Sequence, residues 1–325
     1  MILSDLPVFI RPDEPALVLA PMEGYVDTPM RSLLTEVGAY NYCVSEFIRV
    51  SEAPPHSSTF PKKIPELLNH GKTFITGIPV QVQILGGDAK KMALAALAAV
   101  QAGASAIDIN FGCPSATVNN HDGGASILKS PHRIEEILTS VRHALPLKIP
   151  VSVKLRLGWE NPEDIFENVE RAQKSEVSWI TIHARTKTQG YTPPAFWNYI
   201  GDVKKHSSIP IIANGEIWTL EDLKRCQEIT RCHHFMIGRG ALANPEISLA
   251  MSKELGIKAP TKDPFTWNKS FKRFEELSMQ HSKNEKYVLT RLKQWLNVPY
   301  KRGTLNLFDK IRRLQTLKEA MECLA

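Results

Sequence analysis

Eight short apolar runs rich in β-branched residues recur between residues 17 and 250, each followed by a stretch of helical spacing or a gap of helix length. No other feature of the chain restricts its fold as tightly. The runs cover residues 17–20, 42–45, 80–85, 106–110, 151–155, 179–183, 210–213 and 234–237, and residues 90–101, 132–144, 162–174 and 220–230 carry apolar positions at helical intervals. Near-continuous apolar strands suit a parallel sheet covered on both faces. Because no GxGxxG turn follows the first run, the pattern predicts an α/β fold of the closed (β/α)8 TIM-barrel type rather than an open doubly wound sheet. Residues 54–77, with their prolines and serines, read as a long excursion with one short helix near 64–68. Past residue 250 the strand pattern stops. Thr261-Lys262-Asp263-Pro264 reads as a linker, and residues 265–279, 285–296 and 305–321 have amphipathic helical spacing. The expected organisation is a barrel over residues 1–250 and a small all-helical domain over 251–325.

Charge divides along the same boundary. Residues 251–325 hold 16 Lys and Arg against 8 Asp and Glu, leaving 24 against 26 for the first 250 residues. A cationic module on a near-neutral body suits a polyanion, although basic surfaces also serve solubility alone. With 43% hydrophobic and 23% charged residues, long disorder is not expected. The chain begins Met-Ile-Leu-Ser-Asp with no basic segment before an apolar core, and no run of 18 apolar residues occurs. A cytoplasmic protein with neither leader nor membrane span is therefore expected. The five cysteines are odd in number, irregularly spaced and without a CxxC pair, and no HExxH or carboxylate cluster occurs, so neither a disulfide framework nor a metal site is expected.

Polar residues and glycines cluster where the apolar runs end. In a barrel all these ends meet at one mouth, so residues over 200 positions apart would share a pocket. Ala20-Pro21-Met22 follows the first run, Gln83 lies near the end of the third, and Asn110-Phe111-Gly112-Cys113-Pro114 follows the fourth. Lys154 and Arg156 end the fifth, His183 and Arg185 the sixth, Asn214-Gly215-Glu216 the seventh and Gly238-Arg239-Gly240 the eighth. The last two turns can bring backbone N–H groups to an anion, or merely permit tight bends. Lys154 can stabilise charge on an electron-rich ring, act as a Schiff-base nucleophile, or sit in a rim salt bridge. His183 can donate to a cofactor ring and Arg185 can reach a phosphate, or both can be structural. Cys113 differs from the other cysteines in its strand-to-loop position, where a protonated thiol can act as an acid, although a merely buried thiol is equally admissible. Asn110 has the paired donor and acceptor that a planar amide-like edge requires.

The chain resembles the flavin-dependent tRNA-dihydrouridine synthases. The resemblance is carried in order by Leu19-Ala20-Pro21-Met22-Glu23-Gly24, Val82-Gln83-Ile84-Leu85-Gly86, Asn110-Phe111-Gly112-Cys113-Pro114-Ser115, Val153-Lys154-Leu155-Arg156-Leu157-Gly158, His183-Ala184-Arg185-Thr186, Asn214-Gly215-Glu216-Ile217 and Gly238-Arg239-Gly240. Glu46-Phe47-Ile48-Arg49-Val50, Gly190-Tyr191 and Arg291-Leu292-Lys293-Gln294-Trp295-Leu296 look most like the bacterial subfamily that modifies position 16 of the D-loop. The chain departs from many relatives at Ala116, where a longer or charged residue is usual, and at His121-Asp122, which replace smaller loop residues. The resemblance implies FMN at the barrel mouth, NADPH as reductant, tRNA as substrate and a helical tail that helps grip the tRNA, in a protein expected to be a monomer.

By the same resemblance, hydride passes from the flavin to uracil C6 while Cys113 supplies a proton to C5. Ala20, Pro21 and Met22 would line the flavin, with Lys154, Gln83 and His183 at its pyrimidine edge. Asn214, Gly215, Glu216, Gly238 and Arg239 would surround its ribityl chain and phosphate, the Glu216 carboxylate using ribityl hydroxyls rather than the anion, and Asn110 and Arg156 would recognise uracil or support that recognition. Three other readings compete: a dihydroorotate dehydrogenase-like flavoenzyme, a Schiff-base lyase using Lys154, and a non-enzymatic RNA-binding protein.

Overall fold

The computed structural model describes residues 7–325, so the reading of the first five residues lies outside the described range. All eight expected strands form. They are β1 (Ala16–Leu19), β2 (Tyr42–Val44), β4 (Val80–Leu85), β5 (Ile107–Asn110), β6 (Val151–Arg156), β7 (Trp179–His183), β8 (Ile211–Asn214) and β9 (His234–Ile237), with an unexpected two-residue strand β3 (Ile48–Arg49) beside β4. Every pairing is parallel, and contacts of β1 with β9 and of β2 with β4 close the sheet into a barrel.

Its outer helices are α1 (Thr28–Val37), α2 (Thr59–Lys63), α3 (Ala89–Gln101), α4 (Ala116–Asn119), α5 (Pro131–Ala144), α6 (Asp164–Lys174), α7 (Trp197–His206), α8 (Leu220–Thr230), α9 (Arg239–Ala243) and α10 (Ile247–Glu254). Side-chain caps define several of them: Asp27 accepts from Met30 N, Asp88 from Lys91 N, and Thr219 and Asp222 form a reciprocal capping box. The excursion holds α2 and a 3-10 turn, Pro65–Asn69, where one helix was expected.

Alternation along each strand sorts its side chains between two environments. Val151, Val153 and Leu155 of β6, like Ile180 and Ile182 of β7, join the large apolar layer beneath the helices. Inside the barrel, Phe9, Tyr42 and Trp179 pack at ring separations of 5.2 to 6.2 Å within a small apolar cluster. The interior also holds a buried polar set that includes Gln81, Gln83, Asp108 and Ser152. Register then sets strand ends side by side: Asn110 opposite Lys154, Arg156 opposite His183, and His183 opposite Asn214.

Four further helices complete the chain: α11 (Trp267–His281), α12 (Glu285–Arg302), α13 (Phe308–Ile311) and α14 (Leu317–Leu324). The expected boundary at residue 250 falls inside α10. Helix α12 runs beyond the expected end at 296, through Pro299 to a left-handed Gly303 cap, and the single helix expected over 305–321 is divided because Thr316 caps a new one, accepting from Glu319 N. One hydrophobic cluster runs from the barrel strands into these helices. Trp295, 1% exposed, packs at 5.4 to 5.6 Å from Trp267, Phe271 and Phe274, and its Nε1 donates to Leu242 O at 3.0 Å. Arg291 Nε donates to Asp27 Oδ2 at 2.8 Å, tying α12 to the N-cap of α1. Burial pushes the Asp27 carboxyl up, but the charge and hydrogen bond of Arg291, with Tyr287 and Met30 N, outweigh it and hold the group below its ordinary value.

Candidate active site

A cavity of about 620 Å³ opens at the C-terminal ends of the strands, within the range usual for cofactor sites. Fourteen of the residues singled out at the strand ends line it: Ala20, Pro21, Met22, Gln83, Asn110, Cys113, Lys154, Arg156, His183, Asn214, Gly215, Glu216, Gly238 and Arg239; Arg185, expected as a possible phosphate ligand, does not, being fully buried against Glu216. Cys43, Cys226 and Cys232 are instead buried in the apolar core and Cys323 is exposed.

The Asn214-Gly215-Glu216 turn needs its glycine for two reasons. Gly215 has φ +109°, and a Cβ there would stand 3.2 Å from His183 Nε2. The Cys113 loop needs Gly124 similarly: with φ +61°, its added Cβ would meet Cys113 O at 2.9 Å. This loop is held by Ala125 N and Asn119 Nδ2, which both donate to Cys113 O at 3.1 Å.

The cavity wall is strongly cationic. Lys154 Nζ donates to Asn214 Oδ1 at 3.0 Å, and burial, followed by nearby Arg156, lowers this ammonium to about 8, against the opposing pull of Asp108 and Cys113. Burial also drives His183 well below its ordinary value, reinforced by Arg156, Lys154, Arg185 and Arg239, so its imidazole is neutral at pH 7. The Cys113 thiol is half-buried and pushed up chiefly by that burial, so it remains protonated near neutrality. It can give a proton away.

Several of these side chains are already engaged by bonds within the protein. Arg156 is 2% exposed and donates through Nε to Gly112 O at 2.8 Å and through Nη1 to Thr186 O and Gly190 O at 2.9 Å. It braces the Cys113 loop against the loop after β7. Asn110 bonds internally through both ends of its amide, giving Nδ2 to Gln83 Oε1 and accepting from Gly112 N. Both residues thus tie the Cys113 loop to its neighbours while lining the cavity. Glu216 is paired with the buried Arg185 and lies 3.5 Å from Arg239, so its carboxylate fixes two guanidiniums.

Tyr191, Trp218, Lys301 and Arg302 also line the cavity. The guanidinium of Arg239 lies 4.5 Å from the Tyr191 ring and 4.8 Å from that of Trp218, and Arg302 covers Trp218 from α12 at 5.0 Å. Tyr191 was visible only within the family-like Gly190-Tyr191 pair; nothing local in the sequence marked Trp218 or Arg302.

These groups fit a flavin mononucleotide. Two buried ring nitrogens of wall residues, His183 Nδ1 and the Trp218 Nε1 donor, have no hydrogen-bond partner among the described residues. Ala20, Met22, Met236, Ile217 and Leu242 supply apolar surface for a ring, while Lys154 and Arg239 supply positive charge for a phosphate and an electron-rich edge. No group of three or more metal-ligating side chains occurs among the described residues, and no helix there is long and apolar enough to cross a membrane.

A profile of the family described as Dihydrouridine synthase (Dus) matches residues 18–322. The chain is 41% identical over 313 residues to tRNA-dihydrouridine(16) synthase of Neisseria meningitidis serogroup B, covering 95% of this chain and 93% of that one. It is 38% identical over 313 residues to the protein of that name from Shewanella oneidensis, covering 95% and 96% respectively. The Pseudomonas putida protein of that name is 39% identical over 284 residues, 86% of each chain. Among solved structures, histamine dehydrogenase from Rhizobium sp. 4-9 superposes with a TM-score of 0.56 at 13% identity, covering 85% of this chain and 51% of that one. A 2-naphthoyl-CoA reductase gives 0.57 at 13%, covering 79% and 53%. These two structures share the barrel, and this chain spans about half their length.

Proposed function

The chain belongs to the dihydrouridine synthase family, and from that premise we propose that it reduces uridine to 5,6-dihydrouridine at position 16 of the tRNA D-loop, with bound FMN and with NADPH as reductant. One observation carries the reading: a protonated, half-buried thiol, Cys113, lines the same cavity as the cations Lys154 and Arg239 and an apolar surface suited to a flavin. A bound flavin would supply the hydride for uracil C6, with NADPH as the source of its electrons.

The protein's own part is to bind, orient and protonate. Ala20, Pro21 and Met22 form an apolar bed, with Lys154, Gln83 and His183 at the polar ring edge. Gly215, Gly238 and Arg239 hold the phosphate end, in a wall completed by Asn214, and Glu216 orients Arg239. Cys113 Sγ gives its proton to uracil C5, and Arg156 and Asn110 keep its loop in place. A uridine in a loop is cheaper to extrude into such a cavity than one in a stacked duplex. The barrel is the catalytic unit, and residues 251–325 contribute cations toward tRNA phosphates, with Lys301 and Arg302 already at the cavity rim. The protein acts as a cytoplasmic monomer. A dihydroorotate dehydrogenase-like reaction on a small substrate does not account for the cationic excess of residues 251–325.

Replacing Cys113 by alanine tests the reading. The variant should stay yellow with FMN and accept electrons from NADPH, while tRNA reduction falls by about 10²- to 10⁴-fold, the usual span for loss of a general acid. Unchanged tRNA turnover refutes the acid role. In cells lacking the protein, dihydrouridine should return at position 16 alone when it is restored; return at another position refutes the site assignment.

A further inference from the structure

Beneath Cys113, a chain of hydrogen bonds descends into the barrel. Gly112 N donates to Asn110 Oδ1 at 2.9 Å, Asn110 Nδ2 to Gln83 Oε1 at 2.8 Å, and Gln83 Nε2 to Asp108 Oδ2 at 2.7 Å. The other carboxylate oxygen, Asp108 Oδ1, accepts from Ser152 Oγ at 2.5 Å, and that hydroxyl oxygen accepts from Gln81 Nε2 at 2.9 Å. Asp108 is 2% exposed, Asn110 8%, and Gln81, Gln83 and Ser152 are fully buried. Leaving a donor unmatched at such buried positions carries a desolvation cost.

Both ends of this chain have fixed polarity. The Gly112 N–H can only donate; burial pushes the Asp108 carboxyl up against the hydrogen bonds of Ser152 and Gln83 and the charge of Lys154, and in its ionised form it can only accept. Between them stand two primary amides, each of which has two orientations. Turning Asn110 over would set its NH2 against the Gly112 N–H, and turning Gln83 over would set its oxygen against the carboxylate and its NH2 against that of Asn110. One arrangement satisfies every link.

We propose that Asp108 is a positioning residue: its carboxylate sets the direction of both amides and so pins the peptide that precedes the proton donor Cys113. The family-wide roles assigned above do not include it, and it does not line the cavity. Its influence passes through Gln83 and Asn110. The inference rests on the proposed role of Cys113 only for its catalytic consequence; the pinning itself is a property of the loop.

The test exchanges the two ends of one link. In Gln83→Glu, two carboxyl groups face each other and must share a proton to keep the chain direction. In the double variant Asp108→Asn/Gln83→Glu, the new amide donates to the new carboxylate, Asn110 still donates to residue 83, and Ser152 still donates to residue 108, all without an extra proton. Alkylation of Cys113 by iodoacetamide, read from the mass of its peptide, and tRNA-dependent oxidation of the reduced protein are followed from pH 6 to pH 9.

Gln83→Glu should show a new pH break and at least a fivefold departure from the wild-type profile as the shared proton is lost. The double variant should return the alkylation profile to within threefold of wild type across the range, while tRNA-dependent oxidation stays below wild type because Gln83 also stands at the flavin edge. A Gln83→Glu profile identical to wild type, or a double variant no better than the single one, overturns the inference. If Gln83→Glu does not fold, Asn110→Asp places the same conflict one link higher and must show the same break; a flat profile there also overturns it. Alkylation needs neither tRNA nor NADPH, so a wild-type protein inactive on tRNA refutes the proposed function while the alkylation series still decides the role of Asp108.

Discussion

Lys154 offers a quantitative test of how the cavity holds its cofactor. The ammonium donates to Asn214 at 3.0 Å and is lowered by burial to about 8, more than two units below a free lysine. A group with that value is charged in about 90% of molecules at pH 7 and about 10% at pH 9. If the charged form grips the electron-rich ring edge, the dissociation constant of the FMN-free protein for FMN should rise about tenfold between those pH values, or about 1.4 kcal/mol. The stability of the FMN-free protein moves the opposite way. Because the folded value lies below the unfolded one, the unfolded chain binds more protons between about pH 8 and the free-lysine value, and stability rises across that window. Quenching of FMN fluorescence at pH 7, 8 and 9 measures the binding, and Lys154→Met should weaken it at pH 7 and remove the slope. A wild-type constant that does not change with pH, or a methionine variant with the same slope, refutes the reasoning.

Breaking the link between α12 and α1 with Arg291→Met should cost about 3–5 kcal/mol at pH 7, the usual penalty for stranding one partner of a buried pair, as read from urea unfolding. Since Asp27 is held below its ordinary value, the difference from wild type should shrink as pH falls through the carboxylate range; a constant difference down to pH 3 excludes the ion pair as its source. Lys301→Gln/Arg302→Gln should weaken tRNA binding and lower the slope of log affinity against log salt by about 1 to 2, one for each lost phosphate contact. An unchanged slope removes both residues from the tRNA surface. Gly215→Ala should destabilise the protein by about 1–3 kcal/mol and loosen FMN, because φ +109° and the approach to His183 both resist a side chain; wild-type stability and affinity would show that the turn relaxes freely.

The family and the barrel were legible in the chain because both are local signals. Eight apolar runs mark eight strands, and segments such as Asn110-Phe111-Gly112-Cys113-Pro114 mark strand ends whatever the helices between them do. The extra strand at Ile48–Arg49 and the break before Thr316 were not legible, since two-residue pairings and caps depend on neighbours distant in sequence. Side-chain duties were harder still. Arg156 has the chemistry of a uracil ligand on paper, yet three backbone carbonyls from two loops occupy it, and those loops meet only when the barrel closes. Arg302 reaches Trp218 across 84 positions of sequence, a contact no local periodicity encodes. Composition and pattern along the chain thus determined which residues end strands and which segments coil, because helix and strand periodicities are written in neighbouring side chains. Tertiary structure alone decided which donors meet which acceptors, because a hydrogen bond or ion pair depends on ångström-scale placement that only the closed barrel and its packed helices provide.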